Sequence, residues 1–313
     1  TYIRVRCSYM LVIEGRKNML IALLGSAILS FAPLIYKLTE TNPITGAFFR
    51  MAYALPILGL LVYFSSSLDT RDSKSRQLTF LAGLFLAIDF LAYHTAIDYI
   101  GTGIATMIGN SQVIIVTLIS WKFLGEKPNK SILFVLPIVI LGLFLISGIW
   151  DNEPYGENPS YGVLGGVFAA IFYSSFLIIY RYSNKEKSPA QNLQFDTTAG
   201  AALGLFLLGI LPLQFLNVEP LNIHPTYPSH AWLILLALSC QVIGWIAITY
   251  ALPRLPAAHT SFALLLQPVL TILWGIFLLA EKPSFQQSSG MLFILGSIII
   301  VTLFGNTEVT TEK

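Results

Sequence analysis

The sequence predicts an all-α integral membrane protein of ten transmembrane helices in two inverted five-helix repeats. Three observations lead there. Of 313 residues, 55% are hydrophobic and only 11% charged, with a mean hydropathy of +0.72. A soluble domain carries about 25% charged residues, so the main solvent here is lipid. Next, apolar runs of about 20 residues, the length that crosses a bilayer, recur along the whole chain. They are too long and too uniformly apolar for the alternating strands of a membrane barrel. Finally, Phe123-Leu124-Gly125-Glu126-Lys127-Pro128 returns 155 positions later as Leu278-Leu279-Ala280-Glu281-Lys282-Pro283.

The spans follow in order. A basic segment, 1–17, precedes the first run, 18–37, which is too long for the apolar core of a signal peptide and reads as a retained span. Its Ser26, Ser30, Pro33 and Lys37 share a face. The second span, 44–64, holds Arg50 about 9 Å from its start, at 1.5 Å per residue. In the third, 78–98, Ala82, Phe85, Asp89, Tyr93 and Ala96 form one face, with His94 about 140° around from Asp89. The fourth, 102–122, carries Gln112, and the fifth is 131–149. After a loop come the sixth, 160–180, with Ala170, Ser174, Leu177 and Arg181 on one face, and the seventh, 191–213, with Asp196. There Gly200-Ala201-Ala202-Leu203-Gly204 is a helix-packing pattern. The eighth, 231–252, aligns Gln241, Trp245 and Ile248. The ninth, 257–279, aligns Thr260, Ala263, Gln267, Thr271 and Trp274, and the tenth is 287–305. A tail, 306–313, closes the chain.

Ten spans place both termini on one side. With that side cytoplasmic, fifteen of the 18 Lys and Arg lie inside. Lys37 and Lys282 fall outside and Arg50 lies within a span. This bias sets the orientation, and the loop Asp151–Glu157 lacks Lys and Arg, as an outer loop does. The expected location is a plasma membrane, that of a bacterial inner membrane, with both termini cytoplasmic.

The repeat is more than one motif. The 155-residue shift also puts Ala96 on Ala251 and Gln112 on Gln267. Shifts of 144 and 146 put Tyr36-Lys37 on Tyr180-Arg181 and Pro43 on Pro189. The halves are 18–149 and 160–305. Five is odd, so the second half enters the membrane upside down. Inverted repeats set a site near the midplane where the halves meet and favour alternating access.

The chain resembles the drug/metabolite transporter superfamily, EamA type. The residues that carry the likeness are Ala96-Ile97-Asp98-Tyr99-Ile100, Gln112 and Leu124-Gly125-Glu126-Lys127-Pro128, then Ala251-Leu252-Pro253-Arg254-Leu255-Pro256-Ala257, Gln267-Pro268 and Leu279-Ala280-Glu281-Lys282-Pro283. It covers about residues 18–305. It implies a ten-helix carrier of small metabolites with cytoplasmic termini, often an exporter. Val113 stands where the second half has Pro268, so a symmetric kink is not implied there.

An ionisable group within lipid costs ~2.5–3.5 kcal/mol on insertion scales and points to function. The candidate substrate-binding residues are Asp89, Tyr93, Gln112, Gln241, Trp245, Gln267 and Trp274. Together they suit a cavity that stacks an apolar group and hydrogen-bonds a polar one. Coupling or gating candidates are Arg50, as a partner for an acid or an anionic substrate group, His94 as a proton relay, and Pro33 and Pro268 as hinges. Pro56, Pro137 and Pro212 also interrupt spans. Against each polar residue stands the plainer role of a bond between helices, about 0.6 kcal/mol on average. Glu-Lys-Pro reads as architectural, its acid set just ahead of the next helix's N-terminus.

No Gly-x-x-x-x-Gly-Lys-Ser/Thr loop occurs, which excludes an intrinsic ATP pump, and neither His-Glu-x-x-His nor Gly-x-Ser-x-Gly occurs. Cys7 and Cys240 fit neither a disulfide nor a metal site. No cofactor, metal or nucleic acid is expected. The partners expected are a small-molecule substrate and the bilayer, with protons and a homodimer left open. The leading expectation is a secondary transporter, exchanger or exporter of small metabolites, amino acids or related amphipathic compounds. An intramembrane enzyme using Asp89 or His94, and a non-transporting scaffold, are the alternatives.

Overall fold

The computed structural model describes residues 2–65, 69–124, 130–183, 188–211, 219–251, 254–255 and 257–304. The first Glu-Lys-Pro, Pro212, Pro253, Pro256 and the tail 306–313 therefore lie outside the described residues. The described elements are helical: α1 (Tyr2–Ser30), α2 (Ala32–Leu38), α3 (Pro43–Tyr63), α4 (Ser73–Ile100), α5 (Thr102–Gly109), α6 (Gln112–Leu124), α7 (Lys130–Ile146), α8 (Pro159–Ser183), α9 (Ala190–Ile210), α10 (Tyr227–Leu236), a π-helical segment (Ala237–Gly244), α11 (Trp245–Ala251), α12 (Ala257–Leu278) and α13 (Phe285–Phe304). Among the described residues, six stretches are long and apolar enough to cross a membrane: Arg16–Leu38, Pro43–Tyr63, Ser73–Ile100, Pro159–Tyr180, Ala190–Ile210 and Tyr227–Ala251. Shorter apolar helices occupy Thr102–Val116, Leu133–Ile146, Ala263–Leu278 and Phe285–Ile300.

Local chemistry explains where the helices start and stop. Asn42 accepts from Thr45 N at 2.9 Å with Pro43 in the first turn, and Asp72 accepts from Ser75 N at 2.8 Å. Both are side-chain caps on otherwise orphaned N–H groups. Gly101, at φ 81°, ends α4 and turns directly into α5, a backbone state glycine adopts without strain. Helix α1 begins at Tyr2 and runs through the basic stretch into the first apolar run.

The prolines divide into two groups. Pro33 lies in the first turn of α2, just past the break at Phe31. Pro56, Pro137 and Pro268 sit inside continuous helices. The fourth predicted span, which has no proline, is interrupted at Asn110-Ser111. There Asn110 Nδ2 donates to Thr106 O at 2.8 Å, a local side-chain bond that competes with helix continuation.

Packing is close where small residues meet. A Cβ added at Gly83 would run into the backbone carbonyl of Thr197, and one at Gly200 into that of Phe80. Thus α4 and α9 cross backbone to backbone, and Gly204 continues the contact against Ala87. One core joins Ile97, Ile104, Met107 and Ile108 to Leu236, Ile248 and Ile294; another joins Met51, Leu86 and Phe90 to Phe176 and Leu205. Outward-facing Phe134, Phe277 and Leu292 are 67%, 75% and 66% exposed. Apolar surface of that kind is stable against lipid.

Candidate functional site

The cavity forms where regular helices give way. The break after α1 contributes Leu29, Ala32 and Pro33, and the α5–α6 break contributes Thr106, Gly109, Asn110 and Gln112. Regular helix α4 adds Asp89, Phe90 and Tyr93 from adjacent turns, α3 adds Arg50, α8 adds Tyr173, α11 adds Trp245 and α12 adds Gln267. Among the candidates, then, Pro33, Arg50, Asp89, Tyr93, Gln112, Trp245 and Gln267 line one space. Gln112 and Gln267, the pair related by the repeat, both face it. The cavity volume is about 90 Å³, room for several waters at ~10–15 Å³ each, or for a small metabolite with about as many heavy atoms.

An acidic and a basic side chain enter this space from different helices. Asp89 is 8% exposed and Arg50 3%. Ion pairs among the described residues join Lys37 to Asp98 at 3.0 Å, Arg71 to Asp69 and Asp196, both at 2.8 Å, and Arg76 to Asp196 at 3.9 Å; Asp89 and Arg50 take part in none. Arg50 lies over the Phe90 ring, 4.4 Å from its centroid, and its Nε donates to Gln241 Oε1 at 3.1 Å. Tyr93 and Thr106 bond through their hydroxyls at 2.6 Å, while Gln112 Oε1 is buried without a partner. Trp245 sits among Tyr173 and Phe176, at centroid distances of 6.3 and 6.1 Å. The space is therefore lined by an acid, a base, two amide side chains and aromatic walls.

The remaining candidates do not line it. Gln241 stands behind Arg50, its Nε2 donating to Thr198 Oγ1 at 3.3 Å. His94 stacks on Tyr36 at 3.8 Å, and its Nδ1 lies 3.2 Å from Pro43 O. Trp274 Nε1 donates to Ser30 Oγ at 2.9 Å, and Thr271 Oγ1 donates to Ser30 O at 3.0 Å. That face of α12 therefore splits, Gln267 toward the cavity and Thr271 and Trp274 toward α1. Pro268 is buried within α12. Thr106, Asn110 and Tyr173 were not singled out from the sequence. Gly109-Asn110-Ser111 is a helix-breaking run that marks Asn110, whereas Thr106 and Tyr173 carry no such signal.

Glu281 has a different partner from the one its position suggests. It is not the next helix that it caps but α5, accepting from Thr102 N at 2.5 Å, Thr102 Oγ1 at 2.8 Å and Gly103 N at 3.1 Å. A carboxylate here meets the positive end of the helix. A second cleft, about 900 Å³, opens between α1, α3, α9 and α11 near Thr70, Gln191 and Arg254; neither Asp89 nor Arg50 faces it. Among the described residues, no group of three or more His, Cys, Asp or Glu is placed to hold a metal ion.

Comparison with known proteins agrees with a membrane carrier. An uncharacterized transporter of Archaeoglobus fulgidus is 25% identical over 279 residues, 87% of this chain and 94% of its own. The pseudopaline exporter CntI of Pseudomonas aeruginosa is 24% identical over 290 residues, 91% and 94% of the two chains. A crystal structure with 19% sequence identity matches at a TM-score of 0.60 over 93% of this chain and 98% of the other, which shows a shared fold. The family model for EamA-like transporters matches residues 16–148 and again 160–303. The chain belongs to the EamA-like transporter family.

Proposed function

We propose that this protein is a secondary transporter of small amphipathic metabolites, amino acids or related compounds, working by alternating access. The observation that carries the proposal is the convergence of Asp89, Arg50, Gln112 and Gln267, from four helices, on one small cavity. In this reading ten spans form two inverted halves with both termini cytoplasmic in a plasma membrane, and the cavity is the substrate site between them. Buried ionisable groups that form no ion pair are costly to keep, which favours their use on a substrate. Asp89 takes a positive group, Arg50 a negative one, the amides of Gln112 and Gln267 add hydrogen bonds, and Tyr173 and Trp245 stack the apolar part. The breaks after α1 and α5, both at the cavity wall, are the natural hinges.

The separation of His94 from the cavity weakens an enzymatic reading, since no acid–base pair with Asp89 results. The test is flux into vesicles of purified protein over a panel of amino acids, nucleosides and cationic drugs. Expected is saturable uptake of at least one class, lost in Asp89→Asn. No uptake across the panel, or a fully active Asp89→Asn protein, overturns the proposal.

A further inference from the structure

The guanidinium of Arg50 is held from behind and left open in front. It does not snorkel to a surface, because the residue is 3% exposed. It makes no direct ion pair among the described residues, where such pairs are made by Lys37, Arg71 and Arg76. One face rests on Phe90 and Nε is committed to Gln241. Gln241 is itself fixed by Thr198 on α9, and it sits in the π-helical segment, a winding that recurs at functional sites. No hydrogen bond among the described residues uses the two terminal nitrogens, while the side chain lines the cavity.

Resting on the transport reading, we propose that Arg50 is the carboxylate anchor of the cavity, and that Gln241 and Thr198 are positioning residues that aim its guanidinium. The planar fork of terminal nitrogens matches a carboxylate, two parallel bonds to two oxygens. Asp89 in the same small space argues against a dianion such as a phosphate monoester, which would meet one cation and one anion. A carboxylate that brings its own ammonium group satisfies both. The bond from Gln241 leaves the fork free because it uses Nε alone, and a carboxylate at position 241 would instead neutralise the charge from behind.

The experiment uses purified full-length protein with the L-amino acids, their C-terminal amides and the corresponding decarboxylated amines as probes, read by thermal shift and by tryptophan fluorescence. The expected result is binding of one or more amino acids that falls tenfold or more in the matched amide and amine. Gln241→Glu keeps an acceptor for Nε, yet loses the acids tenfold or more with the amides unchanged. Thr198→Val, which frees Gln241 without touching Arg50, weakens the acids about threefold, again with no change for the amides. A purely structural role predicts equal losses for acids and amides. Amides that bind as well as acids, or variants that weaken both alike, overturn the anchor while leaving transport intact. If neither class binds, an amino-acid cavity and this inference fall together.

Discussion

Glu281 offers the sharpest test of the packing between distant parts of the chain. It is 4% exposed and accepts from both N–H groups and the hydroxyl at the start of α5. Glu281→Ala leaves two buried backbone donors without an acceptor, at ~1–3 kcal/mol each, and removes a carboxylate from a helix N-terminus, worth ~0.3–2 kcal/mol. The expected loss is about 3–6 kcal/mol. Glu281→Gln keeps one acceptor oxygen and loses the charge, at about 1.5–3 kcal/mol. Thermal unfolding in detergent measures both. At roughly 2–4 °C per kcal/mol, the alanine variant melts on the order of 10 °C below wild type and the glutamine variant lies between. Thr102→Val supplies the internal check, because its hydroxyl donates to the same carboxylate. Its cost should shrink by about 1 kcal/mol in the Glu281→Ala background. An alanine variant that melts with wild type, or a Thr102→Val cost identical in both backgrounds, refutes the cap.

Three further outcomes are expected. Gly83→Ala drives a methyl into the Thr197 carbonyl and should lower stability by about 1–3 kcal/mol as overpacking does, visible as an earlier melt; a neutral result means α4 and α9 are not in backbone contact. His94→Phe keeps the stack on Tyr36 and should leave both flux and its response to an imposed pH gradient unchanged, whereas loss of that response would restore His94 as a proton relay. Asp69 is held below the usual carboxylate range by hydrogen bonds from Arg71. Its contribution is complete above the ordinary carboxylate pKa of about 3.9 and fades as pH falls through the lowered value. The melting difference between wild type and Asp69→Asn should therefore hold steady from pH 7 to 5 and close at lower pH; a gap that persists in strong acid contradicts it.

Much of the cavity lining is legible in the sequence because lipid makes polar residues conspicuous. Asp89, Arg50, Gln112 and Gln267 stand out in apolar runs, and all four reach the cavity. Gln241 and Trp274 stand out equally, and each is spent elsewhere, on Arg50 and on Ser30. Composition says that a buried amide needs a partner; it does not say whether that partner is a ligand or a helix. The two breaks show the same limit. Pro33 lies beside one break and Pro268 within a continuous helix, while Asn110 and Ser111 interrupt a span that carries no proline.

The sequence alone determined the lipid solvent, the helical character and the small set of polar residues worth explaining, because hydrophobicity and its period are local properties of the chain. Only the tertiary structure decided which of those residues share a space. That choice depends on how each helix is rotated and where it crosses its neighbours. Arg50 meets Gln241 across 191 positions and Thr102 meets Glu281 across 179. Gly83 meets Gly200 in the same way, across distant parts of the chain, and no short window of sequence contains both partners.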